Sequence, residues 1–149
     1  MGIKVITSNR KAFHEYTISD KFEAGISLQG TEVKSAREGR VNLSAGWIDI
    51  RGDEAFLMDA QISHYSHGNR MNHEEKRKRK LLLHRREIIK LEQQIAEKGM
   101  TIVPLKMYFK GQFIKVEIGV GRGKKLHDKR QSQKKKEADR DIARAMRNR

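Results

Sequence analysis

Two apolar segments between residues 104 and 120 constrain the fold more than any other part of the sequence. "LKMYF" and "FIKVEIGV" are separated by Lys110-Gly111-Gln112, which has the composition of a hairpin turn. Apolar residues occupy every second position of the later segment, at Ile114, Val116, Ile118 and Val120. A period of two residues is typical of a β-strand. The pattern therefore predicts a sheet with one buried face.

Two further parts of the chain show strand signals. "WIDI" and "AFLMDA" flank residues 51–54, whose sequence RGDE is a second hairpin turn signal. The segment "AFHEYTI", residues 12–18, alternates in the same way and also predicts a strand. We place the only proline, Pro104, at the start of a strand, where its missing N–H costs no ladder bond.

Two segments carry helix signals. In "LQGTEVKSAREGR", Val33 and Ala36 have helical spacing and Gly39 is a stop signal. Residues 72–100 give a stronger signal, because an apolar stripe recurs at helical spacing and Gly99 supplies the stop. The stripe consists of Leu81, Ile88, Leu91 and Ile95. Many short antiparallel strands with two helices in a small basic chain favour a closed Greek-key barrel of the OB type.

The charge balance narrows the class of partner. The 149 residues include 33 Lys and Arg against 19 Asp and Glu, which gives a formal net charge of +14. A polyanion is therefore the expected partner, with nucleic acid first and an anionic membrane surface second. No apolar run approaches the roughly 20 residues of a spanning helix, so we expect no membrane insertion. The absence of cysteine excludes disulfides and thiolate metal sites and fits a cytoplasmic protein.

The positive charge is concentrated at the C-terminus. Residues 121–149 contain 12 Lys and Arg against 4 Asp and Glu, and very few large apolar side chains. Such a segment cannot bury enough surface to offset the entropy of ordering it. We therefore predict a folded domain over residues 1–120 and a basic tail over residues 121–149 that is disordered when free.

Two basic groups within the domain are candidates for phosphate contact. The run Arg77-Lys78-Arg79-Lys80 falls on the polar side of the long predicted helix or just before it, and we favour phosphate binding over a merely solvated face. The group Asn9-Arg10-Lys11 leads into the first strand. It fits an RNA contact and a mobile arm equally well.

Other patterns give weaker signals. His64, His67 and His73 lie in one loop, but basic surroundings favour solvated histidines over a metal site. "GVGRGKK" lacks the spacing of a phosphate-binding loop and reads as a flexible exit from the last strand. With nine aromatic residues in the chain, we see no exposed stacking surface and expect binding through phosphates and shape.

Catalysis is not indicated by the acidic residues. Those near the first hairpin are Asp49, Asp53, Glu54 and Asp59. Strand alternation and the turn should scatter them, whereas a metal-dependent nuclease needs them to converge. The sequence therefore predicts a protein that is not an enzyme and has no cofactor. A nuclease and a constitutive ribosomal protein remain the alternatives.

Five colinear segments closely resemble the bacterial SmpB (small protein B) family. They are "NRKAFHEY", "FEAGISLQGTEVKSAREG", "RKLLLHRREI", "FKGQFIKVEIGVGRGKKLHDKR" and the ending "ARAMRN". The resemblance runs from residue 9 to the C-terminus. It implies an OB-type barrel with attached helices, a tail that folds on binding, and a non-enzymatic role in trans-translation. The implied partners are transfer-messenger RNA (tmRNA), the ribosome, and elongation factor Tu with GTP acting through tmRNA.

The resemblance also implies which residues bind the tRNA-like domain of tmRNA, with the protein a monomer on the RNA. By the family's pattern these are Asn9, His14, Glu23, Leu82 and His84. The pattern allows His or Asn at position 84. An exposed acid weakens phosphate affinity, so Glu23 would contact a base edge or a hydroxyl group. The alternative for Glu23 is a salt bridge at a strand end.

For the tail, the resemblance implies two contacts on the ribosome. The residues implied at the decoding centre are Lys124, Lys125, His127, Asp128, Lys129 and Arg130. Those implied for a helix in the vacant mRNA channel are Lys134, Lys135, Lys136, Ile142, Ala145 and Met146. The family often has a larger apolar residue where this chain has Ala145, which makes that local contact weaker.

Overall fold

A computed structural model describes residues 2–66 and 72–124. The strands are β1 (Ile3–Ser8), β2 (Tyr16–Ile26), β3 (Val41–Asn42), β4 (Trp47–Arg51), β5 (Glu54–Met58), β6 (Gln61–Ile62), β7 (Arg79–Leu82), β8 (Met100–Lys110) and β9 (Phe113–Gly123). The helices are α1 (Arg10–Glu15), α2 (Gly30–Arg37) and α3 (Arg85–Ile95). None of these helices has the length and apolar character needed to cross a membrane.

The strands form a seven-stranded antiparallel sheet in the order β1-β8-β9-β2-β7-β5-β4, with a separate β3-β6 pair. The prediction of a mainly β, antiparallel protein is therefore confirmed. Strand β4 also packs against β8. In the described part of the chain, however, no ladder joins the edge strands β1 and β4, so the sheet is not closed.

The β8–β9 hairpin is present, with one buried face, as the alternation predicts. Its turn contains Gly111 at φ 63°, and Val116, Ile118 and Val120 are fully buried. The hairpin at residues 51–54 is also confirmed, with Gly52 at φ 61° between β4 and β5. Both turns need a left-handed residue, which glycine adopts without steric cost.

The glycine-rich segment after residue 118 belongs to the sheet, so its interpretation as a flexible exit is wrong. Strand β9 continues to Gly123, which pairs with Tyr16, and extends past the predicted domain boundary at residue 120. A Cβ atom at Gly119 would lie 2.8 Å from Leu105 Cδ1, a distance that real side chains do not tolerate. The glycine therefore permits close packing.

The segment predicted as a strand over residues 12–18 is helical in its first part. Helix α1 covers Arg10–Glu15, and β2 begins only at Tyr16. Asn9 caps the helix, because its Oδ1 accepts a hydrogen bond from the N–H of Ala12 at 3.3 Å. A short helix with one buried residue, Ala12, leaves no long apolar stripe for sequence reasoning to detect.

The prediction of a single long helix within residues 72–100 is also wrong. Strand β7 occupies Arg79–Leu82, and α3 begins only at Arg85. Leu81 lies opposite Ala55 in the sheet, so its burial depends on a neighbouring strand rather than on helical spacing. The C-terminal part of the stripe is correct, since α3 buries Ile88 and Leu91.

Two smaller predictions have opposite outcomes. Gly39 does follow α2, at φ 74°, as the stop signal predicts. Pro104, however, lies inside β8 rather than at its start. It sits where the β8–β9 register shifts between Pro104 and Lys106, and such a bulge accommodates a residue that lacks an N–H donor.

Candidate nucleic-acid interface

A groove of about 560 Å³ runs between the end of β2, strand β7 and the start of α3. Its lining contains three residues predicted to bind RNA, which are Glu23 on β2, Leu82 at the end of β7, and His84 two residues after it. The other lining residues are Asp53, Glu54, Lys80, Leu81, Leu83, Glu87, Ile88 and Lys115. The groove thus combines an apolar floor with charged walls of both signs.

Leu82 is the most exposed apolar side chain of this groove, with 56% of its surface accessible. Strand alternation explains its position, because its neighbour Leu81 points into the core and is only 2% exposed. Gly25 lies opposite Leu82, and a Cβ on Gly25 would come within 3.2 Å of the Leu82 Cβ. The small residue leaves room for an exposed leucine, a feature typical of a contact surface.

His84 lies at the junction between β7 and α3. It is the N-cap residue of α3, and its backbone N–H donates to Glu87 Oε1 at 3.0 Å. The capping contact fixes the backbone where the chain turns from strand to helix. The His84 side chain is exposed on the groove.

Glu23 is held by two neighbours on the far side of the groove. The Tyr108 hydroxyl donates to Glu23 Oε2, and Lys110 Nζ lies 3.2 Å from Glu23 Oε1. The hydrogen bond from Tyr108 and the charge of Lys110 hold the pKa of Glu23 below its usual value. Burial and the Glu23 carboxylate in turn raise the pKa of Tyr108. The predicted alternative, a salt bridge, is therefore present.

Arg79 does not lie on the surface, so its predicted phosphate contact is wrong. The side chain is 0% exposed, and its Nε donates to Glu32, which is also fully buried. Its Nη1 donates to the Ala60 carbonyl oxygen at 2.8 Å and its Nη2 to that of Glu75 at 2.9 Å. All three guanidinium nitrogens thus have partners inside the protein, as a buried charge requires.

Glu32 accepts a second cation from the same basic run. Arg77 Nη2 lies 2.5 Å from Glu32 Oε1, and the Gln29 N–H donates to the same oxygen at 2.8 Å. Burial alone would raise the pKa of Glu32. The hydrogen bonds from Arg77 and Gln29 outweigh burial and hold the pKa of that carboxyl below its usual value. Arg77 therefore also serves mainly to tie α2 to the segment before β7.

Lys78 and Lys80, in contrast, point to solvent. Lys80 lines the groove and pairs with Glu54 at 3.1 Å. Lys78 Nζ lies 4.5 Å from the centre of the Phe56 ring. Of the four basic residues at positions 77–80, these two are exposed.

The residues predicted at the other end of β2 form a separate site. Asn9 is only 4% exposed, and its Nδ2 donates to the carbonyl oxygens of Leu43 at 3.2 Å and Pro104 at 2.8 Å. The prediction of a direct RNA contact by Asn9 is therefore wrong. The Asn9 side chain instead holds α1 on the sheet. The three remaining predicted residues of α1 are Arg10 and Lys11, both exposed, and His14, which is half-buried.

The distance between the groove and the site at α1 can be calculated from the length of β2 that separates them. Glu23 lies seven residues along β2 from Tyr16, which follows α1 directly. At about 3.3 Å per residue this is about 23 Å. The sequence-predicted RNA-binding residues therefore belong to two surfaces rather than one.

The acidic residues near the first hairpin are spread over separate contacts. Asp49 pairs with Arg51 at 2.7 Å, and Asp59 accepts a hydrogen bond from Trp47 at 2.8 Å. Across residues 2–66 and 72–124, no three His, Asp or Glu side chains meet as they would around a metal ion. In the histidine loop, both ring nitrogens of His73 have partners, Thr31 and Ile62, while His67 lies outside the described residues.

Comparison with known proteins identifies the family. The sequence model of the family described as "SmpB protein" matches residues 6–148. The chain belongs to the SmpB family. It is 54% identical to the SsrA-binding protein of Carboxydothermus hydrogenoformans, over 97% of each chain. It is 55% identical to the SsrA-binding protein of Geobacillus thermodenitrificans, over 98% of this chain and 94% of the relative.

A solved structure shares this fold. It is described as "tmRNA-SmpB: a journey to the center of the bacterial ribosome" and is 43% identical to this chain. The match has a TM-score of 0.70 and covers 80% of this chain and 85% of the other.

Within this SmpB-family protein, the structure also adds groove residues that sequence reasoning missed. Lys115 and Ile88 line the groove beside the predicted residues. Lys115 follows the β8–β9 turn, and its pairing with Gly25 brings it to the end of β2. The alternation of β9 places Lys115 opposite the buried face, but only the strand order shows that this side borders the groove.

The predicted ribosome contacts fall mostly outside the described residues. Of the twelve, Lys124 alone is described, and its N–H donates to the Glu15 carbonyl oxygen at 2.8 Å. Residues 125–149, which include His127, Asp128 and the predicted channel helix, lie beyond the described part of the chain.

Proposed function

We propose that this protein binds the tRNA-like domain of tmRNA and delivers alanyl-tmRNA to stalled ribosomes as an adaptor in trans-translation. Its relatives are named SsrA-binding proteins, and the related structure is described as tmRNA-SmpB. The observation that carries the proposal is the groove that brings Glu23 of β2 beside Leu82 and His84 of the β7–α3 segment. An RNA edge fits a site with an apolar floor and polar groups on its walls.

The chemistry of the groove suggests how RNA is held. Leu82 offers an apolar surface to a sugar or base, and the His84 ring can stack on a base. Lys80 and Lys115 can neutralise phosphates on either side. Glu23 accepts hydrogen bonds from Tyr108 and Lys110 and still has accessible oxygens, which suit an RNA hydroxyl or amino group.

The exposed residues of α1 and the tail complete the proposed interface. Arg10, Lys11 and His14 would contact the backbone of the bound RNA. The tail would enter the decoding centre and then the vacant mRNA channel, where RNA walls compensate its charge. Elongation factor Tu with GTP would take part through tmRNA. The protein would act in the cytoplasm, without catalysis or a cofactor.

We also infer an OB-type barrel as the frame of this interface. The packing of β4 against β8 supports this proposal, because it brings the two ends of the curved sheet together without a shared ladder.

A truncation tests the division of labour between barrel and tail. A chain ending at Lys124 keeps all of β9 and its bond to Glu15. We expect it to bind the tRNA-like domain of tmRNA within about threefold of the full chain, because the groove is intact. Tagging of peptides on stalled ribosomes should be abolished. Filter binding and a reconstituted tagging reaction give the two measurements.

Two further measurements on the full chain, together with the truncation, separate the adaptor from a nuclease and from a constitutive ribosomal protein. Cleavage of labelled RNA by the full chain in magnesium would indicate a nuclease. Retention of the protein on all ribosomes after a high-salt wash would indicate a constitutive ribosomal protein. Loss of most RNA affinity in the truncated chain would contradict the proposed role of the groove.

A further inference from the structure

The outward side of the β4-β5-β7 unit carries an aromatic and basic surface that adjoins the groove at Lys80. Trp47 pairs with Met58 between β4 and β5, and Phe56 pairs with Lys80 between β5 and β7. Directly paired residues project to the same side of a sheet. The intervening residues, including Ile48, Leu57 and Arg79, are buried on the other side. We call Trp47, Asp49, Phe56, Met58, Lys78 and Lys80 the outer face. Asp49, opposite Phe56, is paired with Arg51 at 2.7 Å.

Trp47 is held in one orientation on this face. It lies on the edge strand β4 and is 39% exposed, and its indole Nε1 donates to Asp59 Oδ2 at 2.8 Å. Asp59 has a φ of 58°, and it is the one non-glycine residue with positive φ in the described part of the chain. Backbone strain of this kind often accompanies functional sites. The ring is thus fixed while its surface stays accessible.

A cation lies beside the second ring of the face. Lys78 Nζ is 4.5 Å from the centre of Phe56. Among the described residues no carboxylate pairs with Lys78, whereas Lys80 is paired with Glu54. The outer face therefore offers aromatic surface and an uncompensated positive charge at adjacent positions. Unpaired nucleotides combine the matching features, a flat base and a phosphate.

We propose that the outer face binds unpaired nucleotides of the same RNA that occupies the groove, with a base stacked on Trp47 and a phosphate at Lys78. The surface is continuous with the groove, because Lys80 and Glu54 line the groove and belong to the strands of the outer face. From Leu82 to Lys78 the path along the chain is four residues, or about 13 Å. Trp47 lies two strands across the sheet from Lys78, about 10 Å further, so a single strand leaving the groove must cover both distances to reach it.

This inference rests on the proposed function, because it takes tmRNA as the occupant of the groove. It extends that function by adding a contact to single-stranded RNA that Glu23, Leu82 and His84 do not make. A protein partner fits less well, since the exposed apolar area is narrow and bordered by Lys78 and Lys80.

The chain offers a direct probe, because Trp47 is its only tryptophan. We expect the tRNA-like domain of tmRNA to quench the fluorescence of the full-length protein, in proportion to binding measured by filter retention. Trp47→Leu should weaken binding about tenfold, and Trp47→Phe, which keeps a ring, less than about threefold. Lys78→Gln should lower the slope of log affinity against log salt by about one.

Val5→Ala is the matched control, because Val5 is 51% exposed on the opposite edge strand β1 and should leave binding unchanged. Thermal unfolding of each variant verifies that it is folded. If the RNA binds without quenching and Trp47→Leu has the same RNA affinity as the wild type, the proposed role of the outer face is wrong. The proposed function of the protein would still stand. If Trp47 is quenched by ribosomal subunits and not by tmRNA, the assigned occupant is wrong. If the wild type does not bind tmRNA, both proposals fail.

Discussion

The core side and the solvent side of β7 use the same kinds of residue in opposite ways. On the core side Arg79 and Leu81 are both buried, and on the solvent side Lys80 and Leu82 are both exposed. The buried cation holds Glu32, and the exposed leucine lines the groove. Position in the strand therefore decides whether a basic or apolar residue serves the fold or the interface.

The same contrast appears at α1. Asn9 uses its side chain to bind two backbone carbonyls and the helix N-terminus, whereas Arg10 next to it is exposed. A basic or polar run in the sequence thus contains structural and exposed residues side by side. Substitutions should separate them by whether stability or RNA affinity changes.

The largest expected effect is on the core side of β7. Arg79→Met removes one partner of a buried ion pair and should lower the free energy of unfolding by about 3–5 kcal/mol. Lys80→Met, one residue later, should change it by less than about 1 kcal/mol, because Lys80 and Glu54 form an exposed pair. Urea denaturation measures both. Equal losses for the two variants would contradict the contrast between the sides of β7.

A smaller effect, on affinity rather than stability, is expected on the solvent side. Leu82→Ala should weaken binding of the tRNA-like domain about tenfold, because apolar surface that the RNA covers is lost. Its unfolding free energy should barely change, whereas Leu81→Ala should lose about 2–5 kcal/mol. Filter binding and urea denaturation on both variants give the comparison. An affinity for Leu82→Ala equal to that of the wild type would remove Leu82 from the interface.

The smallest effect concerns pH. The pKa of Glu23 is held below its usual value of 4.5 by the Tyr108 hydroxyl and by Lys110. The stability that this carboxylate contributes is therefore present above that value and is lost as the pH falls through the lowered pKa. Between about pH 6 and about pH 3, Glu23→Gln should lose less stability than the wild type.

Tyr108→Phe provides the control for that pH effect, because it removes the leading hydrogen bond and keeps Lys110. Its pH dependence should fall between those of the wild type and Glu23→Gln. Identical pH dependence in all three proteins would show that the Glu23 contacts do not contribute to stability.

Sequence reasoning succeeded where a periodic pattern and a turn occur in one continuous segment. The β8–β9 hairpin satisfies this condition, since Ile114, Val116, Ile118 and Val120 alternate directly after a glycine turn. It failed where burial depends on a distant partner. Arg79 reads as one of four surface cations, because nothing local indicates that Glu32, 47 residues away, will be its partner.

The candidate site was predictable only in part for the same reason. The resemblance supplied Glu23, Leu82 and His84, and the structure brings these three into one groove. The sequence did not predict that Trp47 and Phe56 lie on one side of the sheet, because this depends on the pairing of β4 with β5. The short helix α1 was missed because six residues are too few to distinguish from an alternating strand.

The ladder between β2 and β9 fixes the distance between the two ends of β2. Gly25 lies opposite Leu82 at one end of β2, and Tyr16 lies opposite Gly123 at the other. Nine residues of extended chain separate the two positions by about 30 Å. The end of β9 is therefore set at a constant separation from the groove. An RNA held in that groove would fix where on the ribosome the C-terminal segment begins its path.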